Sequence, residues 1–290
     1  MAYALFLGCT IPARSRNYEA SARQVCGALG LRLVDIPQFA CCGFPIKSMD
    51  SEEALTLSAF NLALALREGL DVLTLCSSCG SSLAEAAKLL QENVPLRERV
   101  NIKLARIGLS YGGGVKVRHI VHVLHEEVGL ETIGKKMVTD LSALRIASHH
   151  GCHFLKPSEI HHFDEVEAPR SLDRLTALTS AEPVNYPGKT KCCGGPVMAS
   201  DPDTAVAVAH GKLNALADVQ VDALTLACPF CSVMYESNQI GADSESGHRV
   251  ELPVLFITQV LGLGMGLSPK DLGFKQNVIK PKALLAKLGL

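Results

Sequence analysis

At 290 residues the chain can bury about three quarters of its unfolded surface, so it needs no disulfides to hold a core. A formal charge of −1 with acidic and basic residues scattered leaves no electrostatic footprint for nucleic acid or anionic lipid. Eleven cysteines follow an N-terminus without the basic region of an export signal, which points to a reducing, cytoplasmic setting and to metal or redox chemistry.

Residues 3–7 read as a first strand ending at Gly8-Cys9. A helix is expected over 15–29, stopped by Gly30. On it Cys26 shares helical spacing with Ala22, Val25 and Leu29, which reads as a small core hydrophobe. Residues 31–36 form the next strand, broken by Pro37, and its loop carries Cys41-Cys42-Gly43. Asp50 with Glu53 makes a capping box for a helix to residue 67, closed by Gly69. A third strand over 72–75 delivers Cys76-Ser77-Ser78-Cys79 into a helix over 80–91. After three glycines (112–114), a helix is expected over 115–128, carrying His119, His122 and His125. Six residues separate the outer pair and swing it apart around a helix, so a polar, partly buried face is expected rather than a metal site.

The plan then repeats. A strand over 144–148 leads through His149-His150-Gly151 to Cys152, and residues 181–186 lead to Cys192-Cys193-Gly194. Asp201 and Pro202 open a helix as N-cap and first helical residue. A strand over 221–226 delivers Cys228-Pro229-Phe230-Cys231. Residues 252–267 are the most apolar run, but Pro253, Thr258, Gln259 and glycines interrupt it, so it reads as a buried helix and turn, not a membrane segment. The tail over 280–290 reads as a short amphipathic surface helix.

Both halves thus read C…CCG…CxxC, a set of five ordered cysteines repeated with its flanks. Cys9, Cys41, Cys42, Cys76 and Cys79 make the first set; Cys152, Cys192, Cys193, Cys228 and Cys231 make the second. Such a repeat marks a duplicated metal-binding unit. The expected fold class is α/β, with two duplicated units spanning 1–140 and 141–290, the first with a connecting helix and the second with a C-terminal extension. Each is a mainly parallel sheet with flanking helices, and a pseudo-twofold axis relates them. Loops at the carboxyl ends of parallel strands converge, and every set of cysteines sits in such loops.

Adjacent residues in an extended loop point to opposite sides. Cys41 and Cys42 therefore chelate one small ion poorly, yet suit two irons of one cluster. Closed zinc sites commonly use two CxxC pairs, and ordinary cubane clusters use four thiolates. Five thiolates with a vicinal pair match a larger or more open iron–sulfur group better than zinc or thiol-only redox.

These motifs resemble the cysteine-rich CCG domain in tandem, as in the B subunit of heterodisulfide reductases. The likeness covers nearly the whole chain and extends to Gly151-Cys152-His153, to residues 168–173 and to 252–267. It implies that each five-cysteine set holds a noncubane 4Fe-4S cluster, and that the two clusters face a cleft where a disulfide or sulfur adduct is reductively split. It implies partners as well: a C-type subunit with cubane clusters and a flavin-bearing A-type subunit, since the chain has no flavin, nicotinamide or ferredoxin fingerprint. His153 is a candidate proton donor or substrate contact, against a packing role. Lys191 is a candidate attractor of an anionic substrate, against a solvated loop lysine. His149 and His150 lie on the same approach without an assigned role. Two other functions stay open: the CCG subunit of a glycolate-, lactate- or succinate-type oxidoreductase, and a non-catalytic electron-transfer subunit.

Overall fold

The computed structural model of the chain describes residues 1–239 and 251–290. Eight short strands make two separate sheets. The first contains β1 (Ala2–Phe6), β2 (Arg32–Asp35), β3 (Asp71–Thr74) and β4 (Val117–His119), in the order β2-β1-β3-β4. The second contains β5 (Arg145–His149), β6 (Glu182–Val184), β7 (Ala223–Leu226) and β8 (Val254–Phe256), in the matching order β6-β5-β7-β8. All pairings are parallel. The duplicated α/β architecture expected from the sequence is thus present, with helices flanking each sheet.

In each sheet the first strand lies in the middle, its second strand on one side and its third on the other. Ala4 pairs with both Val34 and Val72, and Ala147 with both Val184 and Leu224. The direction of winding reverses between β1 and β3, and again between β5 and β7. A crevice opens outside the carboxyl ends of strands at such a reversal. Cys9 and Cys76 stand there in the first half, Cys152 and Cys228 in the second.

Two expectations need correction. The stretch 115–128 is not one helix: Val117–His119 is strand β4, paired with β3 through Thr74 and His119, and an α-helical turn (Ile120–His122) and a π-helical segment (Val123–Val128) follow. The exposed edge of β3 offers unpaired backbone groups, and Val117 and Arg118 satisfy them before the helix begins. Likewise 252–267 opens with strand β8, and only Ile257–Gly264 is the expected buried helix.

The halves do not have separate cores. One apolar cluster runs through both, from Phe6 and Leu62 to Leu213 and Phe256. A second, smaller one lies behind the second sheet around Ile146, Leu255 and Leu272. Cys26 lies in the shared core, fully buried, and burial pushes its thiol up to about 12. The expected N-caps are present: Asp50 accepts from the Glu53 amide and Asp201 from the Thr204 amide.

Candidate metal centre

Each lone cysteine follows a glycine in the left-handed region, Gly8 (φ +65°) and Gly151 (φ +72°). A Cβ on Gly8 would meet Cys79 Sγ at 2.8 Å, and one on Gly151 would meet Cys231 Sγ at 4.0 Å. The first loop therefore lies against the second CxxC cysteine of its own half. In each Cys-Cys-Gly triplet the glycine is left-handed too, and a Cβ on Gly43 would stand 2.5 Å from Ala54 O. Gly194 meets Ala205 O in the same way. Only glycine fits these two turns.

The turns aim backbone amides at sulfur. Gly194 N and Gly195 N each donate at 3.4 Å, to Cys192 and Cys193. Gly43 N and Phe44 N do the same for Cys41 and Cys42. Cys76 and Cys228 occupy the N-cap positions of helices Ser77–Glu92 and Pro229–Ser237; interaction with neighbouring sulfurs pushes the Cys76 thiol well up and holds Cys228 well down.

Side chains of the flanking helices fasten both triplet loops from below. Asn61, on helix Ser51–Arg67, accepts from Ala40 N at 2.8 Å and donates to Cys41 O at 3.0 Å, while Ser58 donates to Cys42 O at 2.7 Å. Lys212, on helix Pro202–Asp218, donates to Lys189 O and Lys191 O, both at 2.9 Å.

The sulfurs form a string rather than a ring. Electrostatic interactions between neighbouring sulfurs link Cys41 to Cys42, Cys42 to Cys79 and Cys79 to Cys76 in the first half. In the second they link Cys152 to Cys192, Cys192 to Cys193, Cys193 to Cys231 (3.4 Å) and Cys231 to Cys228. Cys76 and Cys228 join the two strings across the seam. Cys9 stands within electrostatic reach of Cys41. All ten cysteines expected as ligands are thus brought to one region, and Cys26 is left out of it.

The protons are shared unevenly along the string. Interactions with Cys41 and Cys79 hold the Cys42 thiol down at about 3, and interactions with Cys152 and Cys193 hold Cys192 at about 2. Their partners Cys41 and Cys152 are pushed up by those interactions. Crowded thiols cannot all ionise without a large compensating positive charge. Among the described residues no three His, Cys, Asp or Glu side chains converge as one metal ion requires. Thiolates are the ligands of iron–sulfur groups, and the chemistry of this donor set fits such a group.

Between the halves lies a narrow cleft lined by Ser77, Cys152, His153, Cys193, Cys228 and Phe230. His153 comes from the second half, and its ring meets Phe44 of the first triplet loop edge-on at 5.0 Å. Burial lowers its pKa. Lys191 is exposed beside Cys192, its stem 3.1 Å from where a Gly188 Cβ would be. A larger cavity of about 290 Å³ opens on the outer side of the first triplet, between Cys42, Lys47, Glu85 and Arg99. That cavity touches the first set, through Cys42, whereas the cleft is lined by cysteines of the second set together with Ser77 of the first half.

Each connecting histidine bonds a main-chain carbonyl, and His119 and His122 are buried rather than lying on a partly buried helix face. His119 Nε2–H is shared between Leu75 O (3.3 Å) and Ala227 O (3.0 Å), the residues just before Cys76 and Cys228. His122 bonds Phe154 O at 3.0 Å and His125 bonds Ser171 O at 2.9 Å. Burial drives His119 down to about 4 and His122 to about 2, so both are neutral. His150 Nε2 accepts from Leu172 N at 3.1 Å, and His149 Nδ1 accepts from Lys212 at 2.9 Å. Sequence reasoning missed Asn61, Lys212 and Tyr18, whose hydroxyl donates to Ala227 O at 3.2 Å. The only local sign was a polar side chain among apolar helix neighbours such as Leu62 or Leu213.

The family model described as "CCG: Cysteine-rich domain" matches residues 3–84 and 146–236. The chain is 36% identical over 288 residues to the B subunit of the ferredoxin/F(420)H(2)-dependent CoB-CoM heterodisulfide reductase of Methanosarcina acetivorans, across 98% of this chain and 96% of that one. It is 29% identical to the "8-methylmenaquinol:fumarate reductase membrane anchor subunit" of Wolinella succinogenes, across 96% of each. A hypothetical protein from Helicobacter pylori has a crystal structure that superposes with a TM-score of 0.75 at 18% identity. That likeness shows the fold alone. It covers 96% of this chain, which spans about half (52%) of the solved one.

Proposed function

The chain belongs to the cysteine-rich CCG domain family, among the proteins that resemble the B subunit of heterodisulfide reductase, and from that premise we propose that it is the catalytic iron–sulfur subunit of such a complex. The observation that carries this reading is the meeting of the two cysteine sets at Cys76 and Cys228, beside a cleft that both halves line. We assign Cys9, Cys41, Cys42, Cys76 and Cys79 to one noncubane 4Fe-4S cluster, and Cys152, Cys192, Cys193, Cys228 and Cys231 to another. The same reading divides the chain at residues 140 and 141.

When bound, two such groups supply one electron each, the pair that turns a disulfide into two thiolates. The protein's own side chains do the rest. The backbone amides at both triplets hold negative sulfur. His153 spans the cleft to Phe44 and is placed to give a proton to a departing thiolate. Lys191 offers an exposed positive charge at the second triplet for an anionic substrate. Cleavage consumes two electrons and two protons and releases two thiols. The electrons come from partner subunits, a cubane-bearing C-type and a flavin-bearing A-type, in a cytoplasmic complex. Among the described residues no helix is long and apolar enough to cross a membrane.

The test is iron and turnover together. Anaerobically purified protein should hold about eight irons, four for each of two four-iron groups, and should cleave a mixed disulfide with reduced viologen as donor. Stoichiometric zinc without iron would sink the reading. The likeness to a fumarate reductase subunit favours one alternative, an organic-acid oxidoreductase subunit. Reoxidation of the reduced protein by fumarate, and not by disulfides, would select it.

A further inference from the structure

We propose that the buried ammonium of Lys212 makes the two cysteine centres electrically unequal, holding the second at the higher reduction potential, so that an electron entering the chain settles there first. This rests on the reading that each half holds an iron–sulfur group.

Laying Cys41-Cys42 on Cys192-Cys193 also lays Asp50 on Asp201, Ala54 on Ala205 and Asn61 on Lys212. The last pair is the informative one. Both side chains are buried, at 0% and 3% exposure. Both come from the helix after the triplet, and both fasten the triplet loop by its backbone. Their mechanical role is the same, but one is neutral and the other is a cation.

The other lysines beside the two triplets are paired or exposed. Two backbone amides point at the paired sulfurs in each half. Lys47 near the first triplet is neutralised by Glu85 at 2.5 Å. Lys189 near the second is neutralised by Asp173, and Lys191 is exposed to water, which screens it. Lys212 is neither paired nor wet. Among the described residues no carboxylate bonds it. Its three donors go to two carbonyl oxygens and His149 Nδ1, and its charge lies 5.7 Å and 5.9 Å from the ring centroids of Tyr186 and Tyr235. Burial lowers its pKa only to about 8, so it stays protonated at neutral pH. Its field reaches Cys231, Cys193 and Cys192.

Reduction adds negative charge to whatever those sulfurs hold. A nearby unscreened cation stabilises that charge, and local net charge is one of the main determinants of such potentials. Asn61 offers the first half no such help.

The experiment is a mediated redox titration of the anaerobic holoprotein, followed by electron paramagnetic resonance. Two separate waves are expected. Cys193→Ala should remove the higher one and Cys42→Ala the lower. Lys212→Met should keep its iron and move only the higher wave down. The expected shift is at least tenfold in the reduced-to-oxidised ratio at fixed potential, about 59 mV for a one-electron couple. Lys212→Arg should restore it. Coincident waves, waves assigned in the opposite order, or an unmoved wave in an iron-replete Lys212→Met would overturn the inference. So would loss of second-half iron in Lys212→Met and Lys212→Arg alike, which would leave Lys212 a mere fastener. Where only Lys212→Met loses iron, the order of the two native waves decides. Native protein without iron would instead fail the functional reading itself.

Discussion

Tyr18 of the first half stacks on Phe256 of the second, ring centroids 4.0 Å apart and planes within 7°. Phe154 of the second half stacks on His119 of the first, at 5.3 Å and 14°. In both cases an aromatic side chain from the segment after a lone cysteine covers the last residue of the other half's fourth strand. His119 and Phe256 even share their backbone shape, φ −78° and ψ 146° against φ −71° and ψ 145°. The difference lies in polarity. His119 can hold the carbonyls before both CxxC motifs, whereas Phe256 can hold none. Ala227 O consequently receives side-chain donors from His119 and Tyr18, and Leu75 O receives His119. Duplication kept the reciprocal packing, and one half took over the hydrogen bonding that sets the spacing of the two centres.

The sharpest way to break the equivalence of the halves is to damage one ligand set at a time. Cys42→Ala should lose iron from the first half only and Cys193→Ala from the second only, each abolishing disulfide cleavage; full iron and activity in either would remove the vicinal cysteine from the ligand set. Next in size are Gly43→Ala and Gly194→Ala. Each forces a left-handed turn on a residue with a Cβ and drives that carbon into a helix carbonyl. The cost should be on the order of 3–5 kcal/mol and equal in both halves within error, as read by chemical denaturation. Unequal costs would mean that the two triplets are not the same turn.

The seam itself should be sensitive to acid. His119 and His122 are neutral in the fold, with pKa values lowered from 6.5 to about 4 and about 2. A base with a depressed folded pKa contributes stability that is present above pH 6.5 and lost as pH falls through the window toward pH 4. For His119 the loss is on the order of 3 kcal/mol over that window, at about 1.4 kcal/mol per pH unit. Thermal unfolding from pH 7 to pH 5 should show the decline, and His119→Gln should flatten it. An unchanged slope in that variant would remove His119 from the account. The smallest effect is expected at Cys26→Ala, on the order of 1 kcal/mol with no loss of iron, since Cys26 has no counterpart in either string. Iron loss there would redraw the ligand set.

The convergence of the two cysteine sets was legible because it leaves local marks: a cysteine just after a strand, a glycine where no Cβ fits, and a CxxC at a helix start. The central strands β1, β3, β5 and β7 were legible because they are buried runs bounded by such marks. The fourth strands were not. Three residues, as in Val117–His119 or Val254–Phe256, are too few to show a period of two, and the spacing of His119, His122 and His125 imitates a helix. Lys212 was hidden for a different reason. A lysine on a helix ordinarily faces solvent, and nothing local tells that this one is buried beneath a loop some 20 residues earlier in the chain. The contacts of His119 reach residues up to 108 positions away, where local pattern carries no information.

The reciprocal seam also has a consequence for how the protein is made. Tyr18 and Ala227 are 209 residues apart. At a synthesis rate of about 5–20 residues per second, roughly 10–40 s separate the two on the ribosome. Through that interval the first half lacks the surface that finally covers Tyr18 and the inner face of Cys76. Its thiols stand open to oxidants at the stage when no partner sulfur is yet present. The contact that brings the two cysteine sets together thus also delays the shielding of the first.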